Sequence, residues 1–270
     1  MPFDLLIIDP QNDFLDIPGA ALPVTGANAD MDRLAHWLGQ HLDEVDSITV
    51  TLDSHASVGI ERTSFWQTDD GSPVGPFTVI TAADLQAGRF KPRHGGREAE
   101  VLTYLQALET NAKRQLVVWP VHCVVGTWGH NIHSALSDAF AQWEAQTGKI
   151  CEKVLKGQNP MTEQYSAFKA EVPRADDPST ALRLELMDRL NTGVNTLLVA
   201  GEASSHCVAA SVEDMLANLS PERLQQMVLL TDCMSPVGGF GESADAMVKR
   251  AQGQGVAARE LVALGVSSGQ

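Results

Sequence analysis

The sequence predicts an α/β fold, a doubly wound and mainly parallel six-stranded sheet with helices on both faces. Two observations carry that prediction. Apolar runs of strand length alternate along the chain with segments of helical periodicity, the order from which parallel βαβ units are built. Several of the runs are apolar almost throughout, as strands buried on both faces are, and the first two stop at an aspartate.

In chain order, FDLLIID (3–9) is the first strand and ends at Asp9. After a Pro/Gly-rich loop, NADMDRLAHWLGQHLDEV puts Met31, Leu34, Leu38, Leu42 and Val45 on one helical stripe. SITVTLD (47–53) is the second strand, again closed by an aspartate. The Gly- and Pro-rich stretch 64–96 fits neither period and is expected to ride on the surface, with a short strand or helical turn of its own. REAEVLTYLQALETN is helical, and QLVVWP (115–120), stopped by Pro120, is the third strand. NIHSALSDAFAQWEAQTG (131–148) is a helix and KICEKVL (149–155) the fourth strand. PSTALRLELMDRLN (178–191) opens on a Ser/Thr cap signal and reads as a helix. TLLVAG (196–201), the fifth strand, runs straight into the helix SSHCVAASVEDMLANL (204–219). QMVLLTD (226–232) is the sixth strand, and GESADAMVKRAQGQG (241–255) closes the chain as a helix. The expected organisation is one domain over 1–270 with an insertion at about 64–114.

Composition narrows the function classes. Lys and Arg number 19 against 34 Asp and Glu, a formal charge of −15, and the basic residues form no cluster. Nucleic acid and anionic membranes are therefore not expected partners, because counterion release needs grouped cations. No run of about 18 apolar residues is present, so no membrane span is expected. MPFDLLIIDPQNDF lacks the charged and apolar regions of a signal peptide. Cys123, Cys151, Cys207 and Cys233 are widely spaced with no CxxC, and read as reduced thiols of a cytoplasmic protein. The expected partners are a small-molecule substrate and further copies of the chain.

In a doubly wound sheet the ligand crevice lies outside the carboxyl ends of the strands. Asp9, Asp53, Trp119 through His122, Lys156 and the 201–207 turn all fall there. The tripeptide His-Cys-Val occurs in two of these places, at 122–124 and 206–208. Cys207 stands in the first turn of a helix, where free amides and the macrodipole favour a thiolate over a thiol of pKa about 8.5 and offer an oxyanion site. Equally, it is a small buried residue packing a helix start. Successive helical residues point about 100° apart, so His206 does not face that thiol, and Asp9 and Lys156 are better placed to serve it.

These segments resemble a family. LLIIDPQNDF is similar to the opening motif of the isochorismatase-like cysteine hydrolases, VLKGQNPMTEQYSAF to their lysine segment, and LLVAGEASSHCVAASVEDM to their nucleophile segment, in the same order. The resemblance covers nearly the whole chain outside about 64–114. It implies Asp9, Lys156 and Cys207 as a catalytic triad. It also implies a cis peptide at Glu202-Ala203, with the amides of Ala203 and Cys207 as an oxyanion hole.

TLDSHASVGIE places Asp53 and His55 two apart at a strand end, on the same side, which is half of a divalent-metal site or simply a surface turn. His122, after another strand, can reach the same crevice. Two imidazoles and one carboxylate suit zinc, manganese or iron and leave coordination positions open. The pairing of D-x-H with WPVHCV resembles the nicotinamidase (pyrazinamidase) branch of the superfamily. That resemblance implies Asp53, His55 and His122 as ligands of one divalent ion, zinc first, with Glu61 as the candidate fourth. It also matches Phe14, Trp119 and Tyr165 to positions lining the family's pocket. The expected reaction is hydrolysis of a small amide, nicotinamide to nicotinate and ammonia. Two departures leave a larger amide open: the length of 64–114, and a potential charge at Glu202 where an apolar residue is common. A hydrolase using metal-bound water and a non-catalytic binding or redox module are the readings from other classes.

Overall fold

Alternation within one strand decides which helices lie on which side of the sheet. The computed structural model describes residues 2–264, and in it β1 (Phe3–Ile8) points Leu5 and Ile7 to one face and Leu6 and Ile8 to the other. All four side chains are almost wholly buried, each contributing about 1.5–3 kcal/mol to the folded state. On the Leu5 and Ile7 face lie α1 (Ala27–Gln40), and later α4 (Ser134–Thr147), which pack on each other through Met31, Leu34, Leu38, Leu136 and Phe140.

Between those helices the chain forms β2 (Val45–Asp53), then β3 (Trp66–Thr68), β4 (Val79–Ile80), α2 (Ala82–Gln86), β5 (Phe90–Pro92), α3 (Glu98–Thr110) and β6 (Leu116–Val117). After α4 come β7 (Glu152–Lys156), α5 (Leu184–Thr192), β8 (Thr196–Gly201), α6 (Cys207–Asn218), α7 (Pro221–Leu224), β9 (Met227–Leu230), α8 (Gly241–Gly253) and β10 (Ala257–Arg259). Helices α5, α6 and α8 cover the Leu6 and Ile8 face through Leu186, Val208, Val212, Met215 and Met247.

The central sheet has the order β10-β9-β8-β1-β2-β7 and is parallel throughout, so the predicted class and strand number hold. One of its members differs. The run 115–120 is not a strand of this sheet: only Leu116–Val117 pair, antiparallel, with β4 of the 64–96 stretch. The sixth place belongs to β10, an edge strand of three residues ending in exposed Arg259. An apolar run reads alike in a parallel core and in a small ribbon, while a short edge strand carries almost no hydrophobic pattern. Similarly, the cap signal before α5 closes a separate turn: Asp177 accepts the Ser179 amide, and the α-helix starts only at Leu184.

The stretch 64–96 is more than surface covering. Phe65, Trp66, Val74 and Ile80 join Val101 and Leu105 of α3, with Leu116, Val118 and Met161, in a hydrophobic cluster of their own. Trp66 is fully buried and donates its indole N–H to the Ile60 carbonyl.

Candidate active site

Strand register brings the sequence candidates to one edge. β1 and β8 run in step to Ile8 opposite Gly201, and β2 and β7 to Asp53 opposite Lys156. Asp9, Asp53, Lys156 and the turn after Gly201 therefore leave four neighbouring strands side by side. Gly201 permits that meeting: its φ is +123°, and a Cβ there would stand 2.0 Å from the Ile8 carbonyl oxygen.

Lys156 is wholly buried and lies between Asp9 and Cys207. Its Nζ is 2.9 Å from Asp9 Oδ2 and 2.9 Å from Asp53 Oδ1, and it donates to the Gln164 carbonyl at 3.1 Å. Cys207 Sγ is 3.6 Å away. A buried ammonium is tolerable only with such partners, and burial is here outweighed by the two carboxylates, which raise the lysine well above its usual range. Asp9 is pushed upward by burial, with Lys156 opposing; its Oδ1 accepts the Thr51 hydroxyl at 2.6 Å. Burial likewise raises Cys207 well above the ordinary thiol value, and Lys156 only partly offsets it. The thiolate expected from the helix start is thus outweighed by desolvation, and the resting sulfur carries its proton.

Asp53 also faces the other way. Its Oδ2 is 2.7 Å from His55 Nε2 and 3.4 Å from His122 Nε2, and one donor atom from each of the three residues falls within a 4.8 Å cluster. His55 Nδ1 lies 2.8 Å from the Gly157 carbonyl, a contact that orients the ring with Nε2 toward Asp53. Gly157 has φ +70°, and a Cβ on it would come 2.5 Å from the His55 ring. Burial lowers His122 to about 4, keeping it neutral as a ligand must be. Burial pulls Asp53 upward, but His55, Lys156 and His122 hold it well below the carboxylate range. The donor set, two neutral imidazoles and one ionised carboxylate converging from the end of β2 and the loop after β6, fits a divalent ion.

Glu61 is not part of that cluster. Its carboxylate is 3.5 Å from His55 Nδ1, on the far side of the ring, and 3.1 Å from Arg62 Nε. Burial lifts Glu61 to about 7, with Arg62 opposing. Arg62 itself, fully buried with its guanidinium 2.5 Å from His122 Nδ1, was missed in the sequence. A lone arginine after a D-x-H motif carries no signal.

Between the two groups opens a pocket of about 410 Å³, its mouth included, whose lining includes Phe14, Trp119, His122, Tyr165, Ala203 and Cys207. Among the described residues neither the Ala203 nor the Cys207 amide has a protein acceptor, and the Glu202-Ala203 peptide is cis as expected. Two further wall residues went unforeseen. Glu163 accepts the Trp119 indole at 3.2 Å and is raised to about 8 by burial. His206 turns away from the thiol, its ring centroid 5.3 Å from that of Trp119 and 4.8 Å from that of Phe240. Glu202, expected to place a charge beside the nucleophile, is absent from the pocket wall; burial raises it well above the carboxylate range, so it is neutral.

No family model matches the chain. It is 28% identical over 229 residues to a nicotinamidase of Acinetobacter baylyi, covering 85% of this chain and 79% of that one. Identity to a nicotinamidase/pyrazinamidase of Mycobacterium tuberculosis is 27% over 258 residues, with 96% and 97% covered. Among solved structures, a yeast nicotinamidase superposes with a TM-score of 0.63 at 19% identity, covering 95% and 98%. A pyrazinamidase of Pyrococcus horikoshii in complex with zinc gives 0.54 at 18% identity, covering 97% and 100%. Among the described residues no helix is long and apolar enough to cross a membrane.

Proposed function

From the isochorismatase-like hydrolase fold and the similarity to nicotinamidases, we propose that the chain is a metal-containing cysteine amidohydrolase converting nicotinamide and water to nicotinate and ammonia. One observation carries the reading: the Asp9, Lys156 and Cys207 group and the Asp53, His55 and His122 group are joined by the Lys156–Asp53 ion pair, and Cys207, Asp53 and His122 line a single aromatic pocket.

Asp9 takes the Cys207 proton as the sulfur attacks the amide carbon, so the C–S bond forms as negative charge gathers on oxygen. The Ala203 and Cys207 amides donate to that oxygen. Lys156 balances the charge passing between Asp9 and the sulfur. Asp9 returns the proton to nitrogen as the C–N bond breaks and ammonia leaves. Water, deprotonated by the same carboxylate, then cleaves the thioester and the thiol re-forms. A divalent ion on Asp53, His55 and His122 supplies, when bound, an open position for a ring nitrogen. Phe14, Trp119 and Tyr165 hold the flat ring against the nucleophile. Glu61 acts on His55 from behind, as an orienting group rather than a fourth ligand.

Zinc as the resident ion is supported by the donor set and by the zinc complex of the pyrazinamidase sharing the fold. Cytoplasmic residence in nicotinamide salvage fits four free thiols; self-association completes the reading and is read out by light scattering. A larger amide is favoured by one feature: the inserted segment sets Phe77, 55% exposed, edge-on to Trp119 at 5.8 Å, so that ring is available to a substituent. Ammonia release from nicotinamide, pyrazinamide and aliphatic amides, with metal content on the same sample, separates these. Turnover of the two aromatic amides with about one ion per chain is expected; release only from aliphatic amides would overturn the substrate assignment.

A further inference from the structure

Glu202 stands in the turn between β8 and α6, immediately before Ala203, and is completely buried. Its Oε2 accepts the Ser235 amide at 3.1 Å, and its Oε1 has no donor among the described residues. Its other neighbour is Asp30, in the first turn of α1 and 7% exposed, which shares Ser235 with it. Asp30 already receives the Ser235 hydroxyl at 2.6 Å and Arg33 Nη1 at 3.2 Å. Of two buried carboxyls held on one serine, the one with the fewer donors is the one that keeps its proton. Glu202 has a single amide donor, so a proton on it gives the unpartnered Oε1 a bond to make toward Asp30. Around this pair the turn is tied down further, by the Ser204 amide to the Ser235 carbonyl at 2.9 Å and the Val237 amide to Ser205 Oγ at 3.0 Å.

We propose that Glu202 is a positioning residue: its carboxylic acid, bonded to Asp30 and Ser235, clasps the nucleophile turn to α1 and fixes the Ala203 and Cys207 amides. The positioning role rests on the oxyanion assignment above; the clasp itself does not. The charged groups facing it are Asp30 and Arg33 of α1, Asp16 of the preceding loop and, through Arg33 at 3.8 Å, Asp232 after β9. Burial first and Asp30 second hold Glu202 well above its ordinary 4.5. The folded chain therefore binds a proton that the unfolded chain releases, and this contribution to stability is lost as pH rises above that ordinary value.

Glu202→Gln keeps a donor for Asp30 and an acceptor for Ser235 without titrating. Its melting temperature is expected to gain on wild type steadily as pH rises above about 5. On nicotinamide its kcat stays within about twofold of wild type, whereas Glu202→Leu, which fills the space without the bonds, loses about 10- to 100-fold in kcat with KM nearly unchanged. A melting difference between Gln and wild type that does not change with pH overturns the clasp. A Gln variant as slow as the Leu variant overturns the positioning role. The melting comparison needs no turnover, so a protein releasing no ammonia from any carboxamide would sink the functional reading and still leave the clasp decided.

Discussion

The two His-Cys-Val copies are identical in sequence and opposite in placement. At 122–124 the chain leaves β6 in an irregular loop, Cys123 has φ +48°, and its amide is taken by Asp13 at 2.7 Å. The imidazole of His122 swings into the crevice beside Asp53, while the Cys123 thiol is wholly buried and pushed well up by desolvation. At 206–208 the roles invert: Cys207 opens α6 beside Lys156, and His206 joins an aromatic wall. Both thiols are buried and raised, so acidity does not distinguish them. What does is the neighbourhood: Lys156 lies 3.6 Å from the Cys207 sulfur and 2.9 Å from Asp9, and among the described residues Cys123 has no such pair beside it.

Breaking each copy measures that division. Cys207→Ala is expected to lower kcat by about 10⁴-fold or more with melting temperature unchanged, and Asp9→Asn to approach it. Wild-type ammonia release from either would refute the nucleophile. Lys156→Met leaves Asp9 and Asp53 buried without their cation and should cost about 3–5 kcal/mol in denaturant unfolding besides activity. His122→Ala should abolish bound metal by elemental analysis and reduce kcat/KM by about 100-fold, and full metal occupancy in it would remove His122 as a ligand. Iodoacetamide sharpens the contrast, since alkylation at Cys207 should stop turnover, whereas a reaction driven by metal-bound water would survive. His206→Ala, removing ring contacts worth about 0.5–1.5 kcal/mol, should raise KM a few-fold with kcat little changed. Cys123→Ala should be smallest, about 1 kcal/mol of stability and no change in kcat; loss of activity with fold and metal intact would contradict the comparison.

Much of this was legible. Asp9, Asp53 and Lys156 announce themselves because apolar strands end at them, and Cys207 because it opens the helix after one; parallel topology gathers strand ends at one edge. The three residues of the cation site, and the three aromatic rings beside it, follow from the same rule together with motif resemblance. Less legible was the 64–114 segment, whose short strands carry too few residues to show a period, though Trp66 and Ile80 build a core of their own.

The sequence by itself determined the layer order and the edge where chemistry gathers, because both depend on hydrophobic period and chain direction. Tertiary structure alone decided the rest. It placed β10 rather than 115–120 in the sheet, since edge pairing leaves no periodic trace. It set Glu61 behind His55 and Arg62 against His122, and it buried Glu202 against Asp30 instead of beside the nucleophile. Such placements depend on which long-range neighbour meets a side chain in a medium where a proton or a single donor decides its charge. No local stretch of residues carries that information.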